Sequence, residues 1–254
     1  MCKHNISRND FRILSAIIKV LLLAAAVFCT IGCARHDVNR YITIGALLPL
    51  TGMDSDEGLR ALNGLQLAKE EINAAGGVLK KKLDIIVLND RGDEEYIVKQ
   101  YKSLMDKGVA AIIGSSDSNV TLALAVASEK DGIPVISPTA TNAEVTYGLK
   151  NVFYSSHFSF DDRDENAAQF VTNYFNSFSQ MPLSASAAAY ASVYMLAEAV
   201  KNAGTTNKED IISALKEIEM DVITGRIKFN ENNAPRSNVY IIQIKGGKYS
   251  TFLN

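Results

Sequence analysis

The sequence predicts an α/β protein built on a doubly wound parallel sheet, and three observations point to this class. From Tyr41 onward, near-continuous apolar strands alternate with segments of helical period, which is typical of a parallel sheet covered on both faces. Glycine or proline stands at most of the junctions between them. After "NVFYSSHFSFDD" the rhythm changes, and helices follow one another before two last strands. The prediction is therefore a parallel sheet with a C-terminal helical return and a terminal β ribbon.

The alternating part contains four apolar strands and the helices between them. The strands are "YITIGALLPL", "KLDIIVLND", "VAAIIG" and "IPVISP". The first helix presents one face of Leu59, Leu62, Leu65, Ala68 and Ile72, and "AAGG" ends it. The remaining helices are expected over residues 94–107 and 120–129, with a short one near 142–147. Right-handed crossovers would place ligands beyond the carboxyl ends of these strands.

The second part predicts three successive helices and a terminal ribbon. The helices are expected over residues 164–178, 185–203 and 208–218, and the strands "GRIKF" and "NVYIIQIKGG" are expected to form a hairpin or ribbon. The alanine-rich stretch "SASAAAYASVYMLAEAV" contains Ser, Tyr and Glu198. It therefore suits close packing inside a domain better than a membrane span.

The N-terminal stretch predicts export. Basic residues are followed by the apolar run "VLLLAAAVFCTI" and then by Gly32 and Cys33, as in a secretory signal. We interpret residues 1–32 as a lipoprotein signal peptide, Cys33 as the lipidated residue, and 33–40 as a tether. An ordinary secretory signal and an uncleaved anchor are the alternatives. Each of these readings places the domain outside the cytoplasm, and the lipoprotein reading attaches it to the membrane through a lipid anchor only.

Composition excludes several classes of site. The three cysteines are Cys2, Cys29 and Cys33, so the chain beyond them offers no disulfide framework and no thiolate metal site. Removing residues 1–32 leaves five more acidic than basic residues, and no basic footprint for nucleic acid remains. No cofactor is expected, because no phosphate-binding glycine motif is present.

Seven segments, taken in order, carry a family resemblance. They are "IGALLPLTG", "GLQLAKEEINAAGGV", "KLDIIVLND", "GVAAIIGSSDS", "IPVISPTATNAEVT", "AAAYASVYMLAEAV" and "GRIKFN". Together they resemble the Leu/Ile/Val-type substrate-binding proteins of bacterial ABC importers, which have the type I periplasmic binding protein fold. The resemblance runs over nearly all of residues 41–230. It implies a binding protein for a branched-chain or related amino acid, with an ABC permease as partner and no enzymatic activity.

The resemblance also implies a site. In the family two lobes close on the ligand, and two strand-to-helix corners of the first lobe hold its α-carboxylate. By position the contacts here would be Asp117 and Ser118 in the first corner, Thr139, Ala140 and Thr141 in the second, and Glu57 at the rim. Elementary chemistry agrees, because a hydroxyl and N–H groups at a helix N-terminus form an anion site.

Each of these residues has a plainer structural alternative. Ser118 could be a simple helix N-cap. Thr139 and Thr141 could serve the turn after Pro138. Glu57 could be a solvated first-turn carboxylate that complements the helix dipole.

The chain departs from the family at one place. Family members pass from a segment like "NVF" into a second lobe and return near one like "YSSHFSFDD", whereas here the two are joined directly. Residues 41–153 are therefore expected to form the N-terminal part of the ligand-binding lobe, and 154–222 a helical return to it. Residues 223–254 would be terminal strands left from the second lobe. The resemblance implies that the second lobe of family members supplies aromatic walls and an acidic partner for the ligand's ammonium, and none of these has a matching position here.

A hydrolase and an interaction module are the two alternative classes of function. A hydrolase would have to use His157 with Ser155, Ser156, Asp161 and Asp162, but no G-x-S-x-G elbow is present. An interaction or sensor module, or an inactive remnant, would use the uncovered interlobe face for a homodimer or another partner.

Overall fold

A five-stranded parallel sheet organises the protein. The structure is a computed structural model and describes residues 40–140, 142–155, 165–235, 240–245 and 248–253. The strands are β1 (Tyr41–Leu48), β2 (Lys82–Asn89), β3 (Ala111–Gly114), β4 (Val135–Ser137) and β5 (Val152–Tyr154). Sequence patterning anticipated the first four, and β5 is an addition. Residues 40–254 form one compact unit.

The strand order is β2-β1-β3-β4-β5. All four pairings are parallel, and Ile44 of β1 lies in register with Ile85 on one side and with Ala111 on the other. The direction of winding reverses between β1 and β3. In open sheets of this kind the crevice outside the strand ends at the reversal is where ligands bind.

Six α-helices accompany the sheet among the described residues. They are α1 (Ser55–Ala74), α2 (Glu94–Met105), α3 (Ser118–Glu129), α4 (Glu165–Phe178), α5 (Ser184–Ala203) and α6 (Lys208–Lys216). The five helices from α2 to α6 lie within two residues of their predicted bounds, and α1, for which only a face and an end were predicted, begins at Ser55. The short helix expected near 142–147 is a single 3₁₀ turn, Ala143–Val145.

The helices cover both faces of the sheet. Alternate strand residues such as Ile44 and Ile113 point into a core shared with α1, α4, α5 and α6. Their neighbours Leu47 and Ile112 point into a second core shared with α2 and α3. This two-sided core confirms the predicted fold class of a doubly wound parallel sheet.

Helices α1 and α5 pack closely through small residues. A Cβ added to Gly64 would lie 2.1 Å from the carbonyl oxygen of Ser186, and most of the 20 residues of α5 are buried. The predicted apolar face of α1 is right for Leu65, Ala68 and Ile72 but wrong for Leu59, whose side chain is 49% exposed. Contact through small residues turns α1 so that Ala61 and Gly64, rather than Leu59, face α5.

Glu71 ties α1 to the helical return. Its Oε1 accepts a hydrogen bond of 2.8 Å from Asn173 Nδ2 on α4, and its Oε2 accepts one of 3.0 Å from the Tyr194 hydroxyl on α5. The Tyr190 hydroxyl also donates to Oε2. Burial, with the neighbouring Glu71 carboxylate, raises the pKa of Tyr194 to about 12. The return is thus held on the first half of the chain by a polar cluster as well as by apolar packing.

The terminal strands pair differently from the prediction. "GRIKF" contributes β7 (Gly225–Lys228), which pairs with β6 (Glu219–Val222), while β8 (Tyr240–Lys245) pairs with β9 (Lys248–Leu253). The expected pairing of "GRIKF" with "NVYIIQIKGG" is therefore wrong. Each strand finds its partner across a connection of two residues, and such short loops favour local hairpins over the longer "NENNAPRS" connection.

Candidate functional site

The candidate site lies where β1, β3 and β4 end at one edge of the sheet. The β3 corner comprises Ser115–Ser118, and the β4 corner comprises Ser137–Ala140. Hydroxyl groups of the second corner donate to carbonyls of the first: Ser137 Oγ to Ser115 O at 2.7 Å, and Thr139 Oγ1 to Ser116 O at 3.0 Å. The structure therefore brings the two predicted corners together.

Asp117 caps α3. Its Oδ1 accepts hydrogen bonds from the N–H groups of Asn119 at 2.8 Å and Val120 at 3.0 Å. Ser118 is the first residue of the helix, and its Oγ accepts a hydrogen bond of 3.4 Å from the Asn142 N–H. The simple N-cap reading of Ser118 is therefore wrong, because Asp117 performs that role and leaves Ser118 directed toward the β4 corner.

The two remaining described residues of the predicted β4 corner differ in exposure. Thr139 is half-buried, whereas Ala140 is buried, and the Ala140 N–H donates to Ser137 Oγ at 3.2 Å. Thr139 thus couples the corners by a hydrogen bond instead of serving only its own turn. Thr141 lies outside the described residues.

Asp90 is a member of this edge that sequence reasoning missed. It follows β2, is fully buried, and its Oδ2 accepts a hydrogen bond of 2.6 Å from Ser115 Oγ. Its Oδ1 accepts one of 2.9 Å from the Gly92 N–H. Burial raises the pKa of Asp90, these two hydrogen bonds lower it, and the charges of Asp117 and Asp54 raise it further. The signal in the sequence was the polar pair "ND" that ends an apolar strand.

Glu57 lies in the first turn of α1, half-buried beside the Thr139 hydroxyl. Burial raises the pKa of its carboxyl group, the hydrogen bond with Thr139 lowers it, and the charges of Asp54 and Asp117 raise it. The position of Glu57 agrees with both readings made from the sequence. It is a first-turn carboxylate, and it also faces the β4 corner.

Four carboxylates lie at the described part of this edge, and the guanidinium of Arg91 beside them lies over the Tyr96 ring at 4.1 Å. Within the described part of the chain, no Lys or Arg forms an ion pair with Asp54, Glu57, Asp90 or Asp117. The carboxylate of Asp54 reaches toward the β2 end, because a Cβ added to Gly92 would lie 3.7 Å from Asp54 Oδ2. The site therefore combines the carboxylates of these four residues with the hydroxyl groups of the two corners.

One buried hydroxyl of the β3 corner lacks a hydrogen-bond partner. Ser116 Oγ is buried and makes no hydrogen bond in the described structure. Buried polar groups are nearly always satisfied, so a hydroxyl without a partner at this corner is a candidate position for a ligand or water; Ser155 Oγ and Thr224 Oγ1 are also buried without partners. Sequence reasoning chose Ser118 and passed over Ser116, because the two serines of "GSSDS" cannot be ranked without their orientation.

Several other predicted positions fall outside the described residues. They are Cys33 and, from the hydrolase alternative, His157, Ser156, Asp161 and Asp162. Ser155 of that set is described and buried. In the described ranges, no group of three or more His, Cys, Asp or Glu residues could hold a metal ion. Over the same ranges, no helix has the length and apolar character needed to cross a membrane.

The sequence matches the family model described as "Periplasmic binding protein" in two stretches, residues 41–155 and 147–248. The two stretches meet at the segment where the sequence predicted a direct join. Because the matches cover most of the chain, the protein belongs to the periplasmic binding protein family. The family resemblance inferred from the seven segments is confirmed.

Comparison with individual proteins agrees. The chain is 32% identical over 135 residues to the Leu/Ile/Val-binding protein BraC3 of Rhizobium johnstonii, a match covering 53% of this chain and 36% of BraC3. The chain thus spans little more than a third of the length of that relative.

Solved structures show the same fold. The substrate-binding protein LivJ of Streptococcus pneumoniae, in complex with isoleucine, superposes with a TM-score of 0.77 at 17% identity, covering 85% of this chain and 100% of that one. A solute-binding protein of R. palustris in complex with benzoate gives 0.76 at 14% identity, covering 84% and 96%.

Proposed function

We propose that this chain is an extracytoplasmic solute-binding protein that holds the carboxylate of an amino acid at the β3 and β4 corners. The observation that carries the proposal is the convergence of Ser116, Ser118 and Thr139 at the strand ends, with a buried hydroxyl still lacking a partner. The names of its relatives support a branched-chain amino acid as ligand.

The wider role follows from family membership. We propose that the protein delivers its ligand to an ABC permease, and that Cys33 anchors it to the membrane through lipid. The chain would do so in a shortened form, reduced mainly to the first lobe. The two family matches that meet near residues 147–155 support a direct join where relatives continue into a second lobe.

Calorimetry tests the proposal. The protein would be a chain starting at Ala34, which keeps every described core residue from Ile42 to Phe229. We expect leucine, isoleucine or valine to bind with a dissociation constant in roughly the millimolar range, because a single lobe leaves much of the ligand exposed. Ser118→Ala should weaken binding about tenfold, since a hydrogen bond to a charged group is lost.

A matched control accompanies this measurement. Ser213→Ala removes an exposed hydroxyl on α6 and should leave binding unchanged. Absence of heat up to roughly several millimolar amino acid, from protein shown to be folded, would contradict the proposed function.

A second candidate function is self-association or partner binding through the face around the site. The observation in its favour is the exposure of Met53, which is fully exposed in the loop after β1, and of Leu59 on the first turns of α1. Exposed apolar side chains form an interface when they lie together on one surface. In this reading a homodimer, a sensor contact or an inactive remnant would replace transport.

A further inference from the structure

Four carboxylates lie at this edge without an ion pair to a Lys or Arg of the described chain, and Arg91, which follows Asp90, has its guanidinium 4.1 Å from the centre of the Tyr96 ring. Asp54, Glu57, Asp90 and Asp117 act on one another at this edge, and none of them forms an ion pair with Lys or Arg among the described residues. A ligand with only a carboxylate would be repelled by this rim. A ligand that also brings a cation would relieve the repulsion.

Two of these carboxylates are already engaged. Asp90 is fully buried and accepts hydrogen bonds from Ser115 and Gly92, and Asp117 spends Oδ1 on the N-cap of α3. Asp54 is exposed in the loop before α1. Glu57 is the half-buried carboxylate that stands beside Thr139, a residue of the proposed carboxylate site.

The backbone holds Glu57 in place. Gly58 follows it, and a Cβ added there would lie 2.1 Å from the carbonyl oxygen of Pro49. The first turn of α1 is thus pressed against the end of β1. A charged group on a rigid helical turn can recognise a ligand without the entropic cost of ordering a loop.

Groups that can bind the carboxylate of the ligand lie close to Glu57. Ser116 Oγ is buried without a partner, and Ser116 O accepts a hydrogen bond from the same Thr139 that stands beside Glu57. Ser116 Oγ, a hydroxyl for a carboxylate, and Glu57, a carboxylate for an ammonium, therefore lie on either side of Thr139, whose own hydrogen is donated to Ser116 O. Neighbouring groups that bind a carboxylate and an ammonium suit an α-amino acid, in which both charged groups are attached to one carbon.

We propose that Glu57 receives the ammonium of an amino-acid ligand, so that this one lobe contacts both charged groups. The inference rests on the proposed function and adds to it a residue that selects amino acids over simple carboxylic acids. In the relatives that the sequence resembles, the second lobe supplies this partner.

The test compares three probes by calorimetry on the chain starting at Ala34. They are L-leucine, 4-methylpentanoate, which lacks the ammonium, and 3-methylbutylamine, which lacks the carboxylate. We expect leucine to bind about tenfold or more tightly than 4-methylpentanoate, because only leucine pairs with Glu57. Glu57→Gln should remove most of that preference while leaving the binding of 4-methylpentanoate equal or stronger.

The control is Asp56→Asn, which makes the same change of charge one residue away. Asp56 is exposed and pairs with Arg60 at 2.9 Å, so its loss should leave the preference intact. Equal affinities of the wild type for leucine and 4-methylpentanoate, or an equal loss of both in Glu57→Gln, would overturn the Glu57 proposal and leave the carboxylate site standing. Binding of the amine without the acid would support Glu57 and contradict the carboxylate site. Absence of all binding would overturn both.

Discussion

A helix N-terminus ordinarily attracts anions, yet α3 presents its first N–H groups to its own Asp117. The carboxylate of Asp117 accepts from Asn119 and Val120, so a ligand carboxylate has to rely on side-chain hydroxyl groups. Ser116 and Ser118 stand on either side of this cap. At the scale of single residues, the corner therefore contains a carboxylate that caps the helix and two serines beside it, of which Ser116 has a buried hydroxyl without a hydrogen bond.

Asp90 makes the stability of the folded protein depend on pH. Because burial raises its pKa, ionised Asp90 is disfavoured in the folded protein, and its stabilising contribution is present at low pH and lost as pH rises through the raised pKa. We expect the stability of Asp90→Asn relative to the wild type to increase from about pH 4 to about pH 7. Urea unfolding followed by circular dichroism measures this difference.

Asp106→Asn is the control for that experiment, because Asp106 is exposed at the end of α2. A relative stability of Asp90→Asn that stays flat or falls over the same pH range would contradict the effect of burial on Asp90.

At the scale of secondary-structure elements, the contact between α1 and α5 joins the first part of the chain to the helical return. Gly64 lies against the Ser186 carbonyl, and Tyr174 donates from α4 to the Arg60 carbonyl at 3.3 Å. The rings of Tyr190 and Tyr194, both on α5, lie 4.8 Å apart at an angle of 36°. The helical return is thus an integral layer of the sheet domain.

Gly64→Ala tests this contact. Alanine favours a helix over glycine by about 1 kcal/mol, but a Cβ at 2.1 Å from the Ser186 carbonyl oxygen forces the two helices apart. We expect a net loss of about 1–3 kcal/mol in the free energy of unfolding, measured by urea denaturation. Gln66→Ala, at an exposed position of the same helix, should change stability little. A stabilised Gly64→Ala protein would show that the helices can separate freely.

On the scale of the whole molecule, the described residues build one core around one sheet. The described core extends from Ile42 to Phe229 on both faces of one sheet. The ends of β1 and β3, between which the winding of the sheet reverses, belong to this described part of the chain. In the proposed single-lobe form, the ligand would be less enclosed than in a two-lobed protein.

The uncovered face yields a prediction about assembly. If the second candidate function holds, sedimentation velocity will show a concentration-dependent dimer, because Met53 and Leu59 bury apolar surface when two copies meet. The double variant Met53→Ser and Leu59→Ser should then be monomeric. Val126→Ser, which changes an exposed apolar residue of α3, should still dimerise. A wild type that stays monomeric throughout would contradict self-association.

The sequence by itself determined the fold class, the helices, four of the five parallel strands and the family, because buried strands and helical faces leave local periodic patterns. Tertiary structure alone decided the exposure of Leu59 and the roles of Asp90 and Ser116. Those features depend on which surfaces meet, and residues distant in sequence, such as Asp90 and Ser115, become neighbours only when parallel strands end at one edge. Periodicity reports whether a side chain faces inward, whereas a binding site depends on which inward-facing groups find partners.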